Sequence, residues 1–329
     1  MFGLIKRKNS TIASISGEHI PNNIVLQVLI FLLVFIIAEI FASIPASIPI
    51  ITNVFKQMDY LMRVYNEQGT SAYMQAIQSV TYTKQVIILT LYGTLLATIV
   101  VMLFCILIER RPLSTMGFHK ENALKEYLLG CVLGTVLMSV IVILSTLFGG
   151  LSISLNGTID YKTLLIYLGG FLLQGASEEV IFRGYLMNTI ACKDRVLLAV
   201  VINSVLFAFA HSLNSGLTVL AVVNLFLYGA FASVYALKKD SLWGVCGIHS
   251  LWNFAQGNIW GVQVSGIDTS TSICTATQTS NINILNGGTF GLEGSVFTTI
   301  VLIVAIIIVF LFGNFKKSTQ KVENKNTAS

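Results

Sequence analysis

The chain has 329 residues, 54% of them hydrophobic and 11% charged, with a formal net charge of +5 and a mean hydropathy of +0.78. A soluble domain carries about 25% charged residues, so a water-soluble enzyme or a nucleic-acid-binding module is excluded as the broad class. The composition is that of an all-α protein, a polytopic transmembrane helical bundle whose first partner is the lipid bilayer.

Apolar runs of the ~20 residues needed to cross a ~30 Å hydrocarbon core begin near Ile24, Gln85, Tyr127, Thr163, Val196, Leu217, Leu242 and Val296, giving about eight spans. The seventh, from Leu242 to about Val262, is the least apolar because it contains "GIHSLWNFAQGN". Lys6, Arg7 and Lys8 precede span one, whose apolar run is longer than the ~7 to 15 residues of a signal-peptide core. It reads as an uncleaved anchor. Within it, Glu39 either snorkels to the surface or lines a cavity.

Val54, Phe55, Met58, Leu61, Met62 and Tyr65 recur at helical spacing among Lys56, Asp59 and Arg63, the pattern of an amphipathic helix on the outer membrane surface. In span three, "GCVLG" from Gly130 to Gly134 has the small-xxx-small form that lets helices approach closely. Beyond span seven, Ser265 to Ser295 is rich in Ser, Thr, Asn and Gly and reads as a mobile outer loop or, alternatively, a lid over a substrate path. The five cysteines, Cys105, Cys131, Cys192, Cys246 and Cys274, have no CxxC spacing, which argues against a disulfide frame or thiolate metal site.

Every second connection is basic. Arg110, Arg111, Lys120 and Lys125 lie between spans two and three, Lys193 and Arg195 follow span four, Lys238 and Lys239 follow span six, and Lys316, Lys317 and Lys321 follow span eight. The opposite connections hold Lys56, Arg63, Lys84 and Lys162. This asymmetry places both termini in the cytoplasm.

The stretch "QGASEEVIFRGYL", Gln174 to Leu186, sets two glutamates and an arginine inside span four. An ionisable residue at membrane depth is costly and marks a functional site. Residues four apart share a helix face, so Glu179 pairs with Arg183, while Glu178, rotated by about 100°, points elsewhere. By the same spacing Phe207 faces with His211 on span five, and His249 with Asn253 on span seven. Three neighbouring helices thus aim Glu178, His211, His249 and Asn253 into one cavity, set between mid-membrane and the cytoplasmic side. Asn203 and Asn224 suit interhelical hydrogen bonds, with Asn203 also able to steady His211. His19 and His119 sit in polar contexts and receive no role.

These groups are the parts of a hydrolytic site. Glu178 can take a proton from water that His211 orients, and the side chains of His249 and Asn253 can donate to the oxyanion of a tetrahedral intermediate. The same residues also permit a metal: Glu178, His211 and His249 form a His₂Glu set of the kind that binds zinc, although no HExxH pair occurs. A third reading is structural, with Glu179 and Arg183 merely locking helices. A non-enzymatic transporter, immunity or scaffold protein using the buried carboxylates is the rival function, weakened by the absence of any evident internal repeat.

"EEVIFR", "FAFAH" and "HSLWN" reproduce, in order and on separate spans, the EExxxR, FxxxH and HxxxN motifs of a known family. The chain resembles the CAAX protease and bacteriocin-processing (Abi or Rce-type) intramembrane endopeptidases over about Leu124 to Gln256, with "RRPLSTMGF" resembling the family's lead-in. The resemblance implies a membrane endopeptidase in which Glu178 and His211 activate water, and His249 and Asn253 hold the oxyanion. Many members are labelled metalloproteases, and the resemblance does not decide whether this chain binds metal. It also implies a peptide or membrane-protein substrate in a bacterial plasma membrane. The expected organisation is an N-terminal part (1–123), a catalytic core (124–262) and a C-terminal part (263–329).

Overall fold

The computed structural model describes residues 8–312, so Lys6, Arg7, Lys316, Lys317 and Lys321 of the charge pattern lie outside it. Its main helices are α1 (Ile24–Lys56), α2 (Met58–Thr81), α3 (Lys84–Leu107), α4 (Ala123–Leu147), α5 (Tyr161–Ala191), α6 (Val196–Ala210), α7 (Val219–Lys239), α8 (Trp243–Phe254) and α9 (Val296–Phe312). The fold is an all-α membrane bundle. Each of the eight apolar runs lies on one of these helices. α1, α3, α4, α5 and α7 are long and apolar enough to cross a membrane, whereas α6, α8 and α9 are shorter.

Apolar side chains lie outside as well as inside the bundle. Leu29 and Leu33 of α1 and Ile308 of α9 are exposed, as expected where lipid rather than water surrounds a helix. Inside, α3 packs between α1 and α5, α8 between α4 and α5, and α7 between α6 and α9. The close approach of α4 to α8 explains the small-residue pattern in "GCVLG". A Cβ on Gly130 would sit 2.1 Å from the Gly244 carbonyl oxygen, and one on Gly134 would sit 2.2 Å from that of Ile248.

α2 follows α1 directly and breaks at Gly69, where φ is 81°, into two arms. Leu61 and Val64 on the first arm bury against Ala76 and Val80 on the second, while Phe55, Met62 and Tyr65 stay exposed. The amphipathic pattern therefore serves a helix pair at the end of the bundle. The segment 265–295 is not an open loop. Its residues Cys274–Gln278 (β2) pair antiparallel with Leu151–Leu155 (β1), Ser145 Oγ donates to the Leu285 carbonyl at 2.8 Å, and Gly266 N donates to that of Phe290 at 2.9 Å. Its many polar side chains and backbone groups are satisfied by folding onto the bundle.

The two ends of the bundle differ in charge. At one end the N-terminal segment meets the basic connections: Lys8 pairs with Asp194 at 2.9 Å, Thr11 N and Ser10 Oγ donate to Asp240, and Arg195 donates to the Asn22 carbonyl at 2.8 Å. Thr11 Oγ1 also contacts His119 Nε2 at 2.7 Å. A buried pair, Arg111 Nε to Glu109 at 2.6 Å, ties the lead-in segment to Thr189 of α5. At the other end, Asp160 caps α5 by accepting from Thr163, and these bonds together with Lys84 at 3.3 Å hold its carboxyl down, to about 2.

Gly134→Ala forces the Ile248 backbone away and should destabilise the protein by about 1–3 kcal/mol. A lower unfolding midpoint in detergent is the expected result. Gly157→Ala, where an added Cβ meets nothing within 4 Å, should leave the midpoint unchanged.

Candidate active site

α5 changes winding where the charged residues occur. Its α-helical part ends at Glu179, and Val180–Met187 form a π-helix before the α-helical pattern resumes. Such wide turns occur preferentially at functional sites. Here the π-helix follows the two glutamates and carries Arg183 with both faces buried. Gly175, one turn before Glu179, permits the close crossing with α8: a Cβ there would lie 2.5 Å from Ser250 N.

Glu179 and Arg183 are both fully buried. Arg183 donates to Glu179 Oε1 at 3.1 Å and to the Gly229 carbonyl of α7 at 3.3 Å, with its guanidinium 4.5 Å from the centre of the Phe207 ring. His249 Nδ1 reaches the same Glu179 oxygen at 2.8 Å. The expected pair is therefore a triad that joins α5, α7 and α8.

Glu178 points away from this triad. Its Oε1 accepts from Gln174 Nε2, and Gln174 Oε1 in turn accepts from Asn253 Nδ2 at 2.9 Å. Its Oε2 is buried and has no hydrogen-bond partner. Two imidazoles face that oxygen, with His249 Nε2 at 3.7 Å and His211 Nε2 at 4.0 Å. His211 follows the end of α6 at Ala210 rather than lying within a span, and its Nδ1 donates to the Phe207 carbonyl at 2.9 Å. A carbonyl only accepts, so in the neutral ring Nε2 is unprotonated and presents a lone pair to the cavity.

The cavity holds about 630 Å³ and is lined by residues of α1, α3, α5, α6, α7, α8, α9 and the 265–295 segment. Glu178, His211, His249 and Asn253 all line it, whereas Glu179 and Arg183 lie behind it. Glu39 also lines it while being itself exposed, which fits both of its sequence readings. Asn203 does not reach His211. It donates to Ser233 Oγ at 2.8 Å, and Asn224 donates to the carbonyls of Glu293 and Ser295 at 2.7 and 2.8 Å, so both tie elements together.

Among the polar residues of the cavity that have no role in the sequence reading are Gln174 and Glu293. Gln174 bridges Glu178 and Asn253, and its i,i+4 spacing from Glu178 was a visible signal. Glu293 lines the cavity from outside the motifs, its Oε2 accepting from Ser265 N at 2.7 Å and Ser265 Oγ at 2.9 Å, while burial pushes its carboxyl up. No sequence spacing connects it to the site.

Residues 160–255 match the family model described as type II CAAX prenyl endopeptidase Rce1-like. That segment is similar to this family. It contains all seven motif residues and starts later than the 124–262 core drawn from the sequence, leaving α1, α2, α3, α4 and α9 outside. No curated protein and no solved structure matches the chain. At the level of the family, the match supports a CAAX-type intramembrane protease.

The His₂Glu donor types suit zinc, but among the described residues no group of three or more His, Cys, Asp or Glu side chains is arranged to hold a metal ion. Glu178 offers only Oε2, because Gln174 occupies Oε1.

Arg183→Ala strands Glu179 in the interior and should destabilise the protein by about 3–5 kcal/mol. Lysine at 183 should not restore stability, because a single ammonium lacks the fork that serves Glu179 and Gly229 together. Unfolding midpoints in detergent report both.

Proposed function

We propose that the chain is an intramembrane endopeptidase that hydrolyses a peptide bond of a membrane-associated peptide or protein. The observation that carries this reading is Glu178 Oε2, a buried carboxylate oxygen without a partner, facing two imidazole nitrogens at the wall of a cavity. An unpaired polar atom in such a place is costly to keep, and a reacting water would satisfy it.

A water between Glu178 Oε2 and His211 Nε2 meets two acceptors. Its protons turn toward them, which leaves an oxygen lone pair for attack on a substrate carbonyl. Glu178 takes a proton as the carbon–oxygen bond forms and returns it to the leaving amine as the carbon–nitrogen bond breaks. The developing oxyanion needs donors. Asn253 uses one of its two N–H donors on Gln174, which leaves the second for this task.

His249 has a stricter requirement. Its Nδ1 faces a carboxylate, so that nitrogen carries a proton. For Nε2 to donate as well, the ring must be an imidazolium, held by Glu179. Glu179 and Arg183 thus act through His249 rather than on the substrate. Gln174 positions both Glu178 and Asn253.

The cavity lining speaks to the substrate. Among the described residues it includes Glu39, Glu178 and Glu293 but no lysine or arginine. A neutral or cationic stretch of peptide suits these walls better than a free terminal carboxylate. The basic end of the bundle faces the cytoplasm of a bacterial cell membrane under the positive-inside rule.

Purified protein should cleave members of a peptide library, and Glu178→Gln or His211→Ala should lower kcat by about 10²–10⁴-fold while the folded protein persists in detergent. Full activity in Glu178→Gln would remove that residue as the base. Loss of wild-type activity to a strong chelator would instead assign a metal to Glu178, His211 and His249.

A further inference from the structure

We infer that substrate reaches Glu178 from the end of the bundle opposite the basic connections, so that the enzyme cuts peptides or membrane proteins presented at the outer face of the membrane. This rests on the proteolytic reading above. The sequence alone placed the motif residues between mid-membrane and the cytoplasmic side, and the cavity adds the end toward which their site opens.

The walls beyond the motif residues come from one end of the molecule. Thr81 and Tyr82 lie at the turn from α2 into α3, Asn214 follows α6, and Ser265, Ile267 and Glu293 belong to the segment carrying β2. Tyr82 and Ile267 are also solvent-exposed, at 66% and 37%, which marks them as the rim. No residue of the basic connections 108–122, 192–195 or 240–242 lines the cavity. Toward that side it is closed by packed rings, with Phe182 5.2 Å and Tyr228 5.7 Å from Phe207 between centroids, and by Arg183 behind them.

Charge then assigns the open end to a side of the membrane. The closed end carries Lys8, Arg110, Arg111, Lys120, Lys125, Lys193, Arg195, Lys238 and Lys239, while the open end carries Lys56, Arg63, Lys84 and Lys162. An excess of Lys and Arg in short connections marks the cytoplasmic side. The rim therefore faces outward. A substrate on this path has already crossed the membrane or stands in its outer leaflet, and the exposed carboxylate of Glu39 on α1 lies along its route.

The full-length protein in intact cells provides the test. Tyr82→Cys and Ile267→Cys mark the rim and Lys120→Cys marks the basic end, and each is treated with a bulky, membrane-impermeant maleimide before or after permeabilisation. Four of the native cysteines are buried and Cys131 is half-buried, which keeps the background low. The expected result is labelling of both rim positions in intact cells, labelling of Lys120→Cys only after permeabilisation, and loss of cleavage when Ile267→Cys carries the adduct. Rim labelling only after permeabilisation would overturn the inference, as would complete labelling of Ile267→Cys with cleavage unchanged. If the unlabelled wild type cleaves nothing, the proteolytic reading fails and the substrate claim with it, while the labelling pattern still decides where the cavity opens.

Discussion

Glu179 is a carboxylate with no exposed surface in the middle of a membrane bundle, and an uncompensated charge in that position is severely destabilising. Its compensation comes from two directions on one oxygen: Arg183, four residues along the same chain, and His249, from a different helix. The first contact is local to α5. The second requires α5 and α8 to cross closely, which Gly175 and Ser250 allow on one side, and Gly130 and Gly134 on the other, where α4 meets α8. The triad thus sets the distance between the helices that carry the rest of the site.

Once Glu179 is committed to the interior, the helix rotation leaves Glu178 to face the cavity. The two adjacent glutamates have opposite environments for that reason. One has charged partners and is sealed; the other borders the cavity with an oxygen beside two imidazoles. Gln174 completes the arrangement by holding the remaining Glu178 oxygen and Asn253 at once. In a low-dielectric cavity such fixed dipoles act more strongly than they would in water.

The segment that matches the family model and the rest of the chain contribute different things. Residues 160–255 supply every motif group. Much of the surrounding wall comes from outside that segment: Phe35 and Glu39 of α1, Thr90 and Thr94 of α3, Ser265 and Glu293 near β2. The motif groups and much of the cavity wall are thereby carried by separate parts of the chain, so the wall can vary without disturbing the triad.

The class of fold, the eight apolar segments and the pairing of Glu179 with Arg183 were legible in the residues themselves, because hydropathy and helical spacing are local properties. So was the grouping of Glu178, His211, His249 and Asn253, since the motifs recur in order on separate apolar segments. Other features depended on contacts between distant segments. The π-helix after Glu179, the termination of α6 just before His211, and the pairing of β1 with β2 leave no reliable periodic trace. Glu293 enters the cavity from 115 residues beyond Glu178, and Asn203 turns to Ser233 instead of His211. The sequence alone determined which motif polar groups lie within the apolar segments, because burying them is too costly to be incidental. Tertiary structure alone decided which of them meet and toward which end their cavity opens, because both depend on how the helices pack against one another.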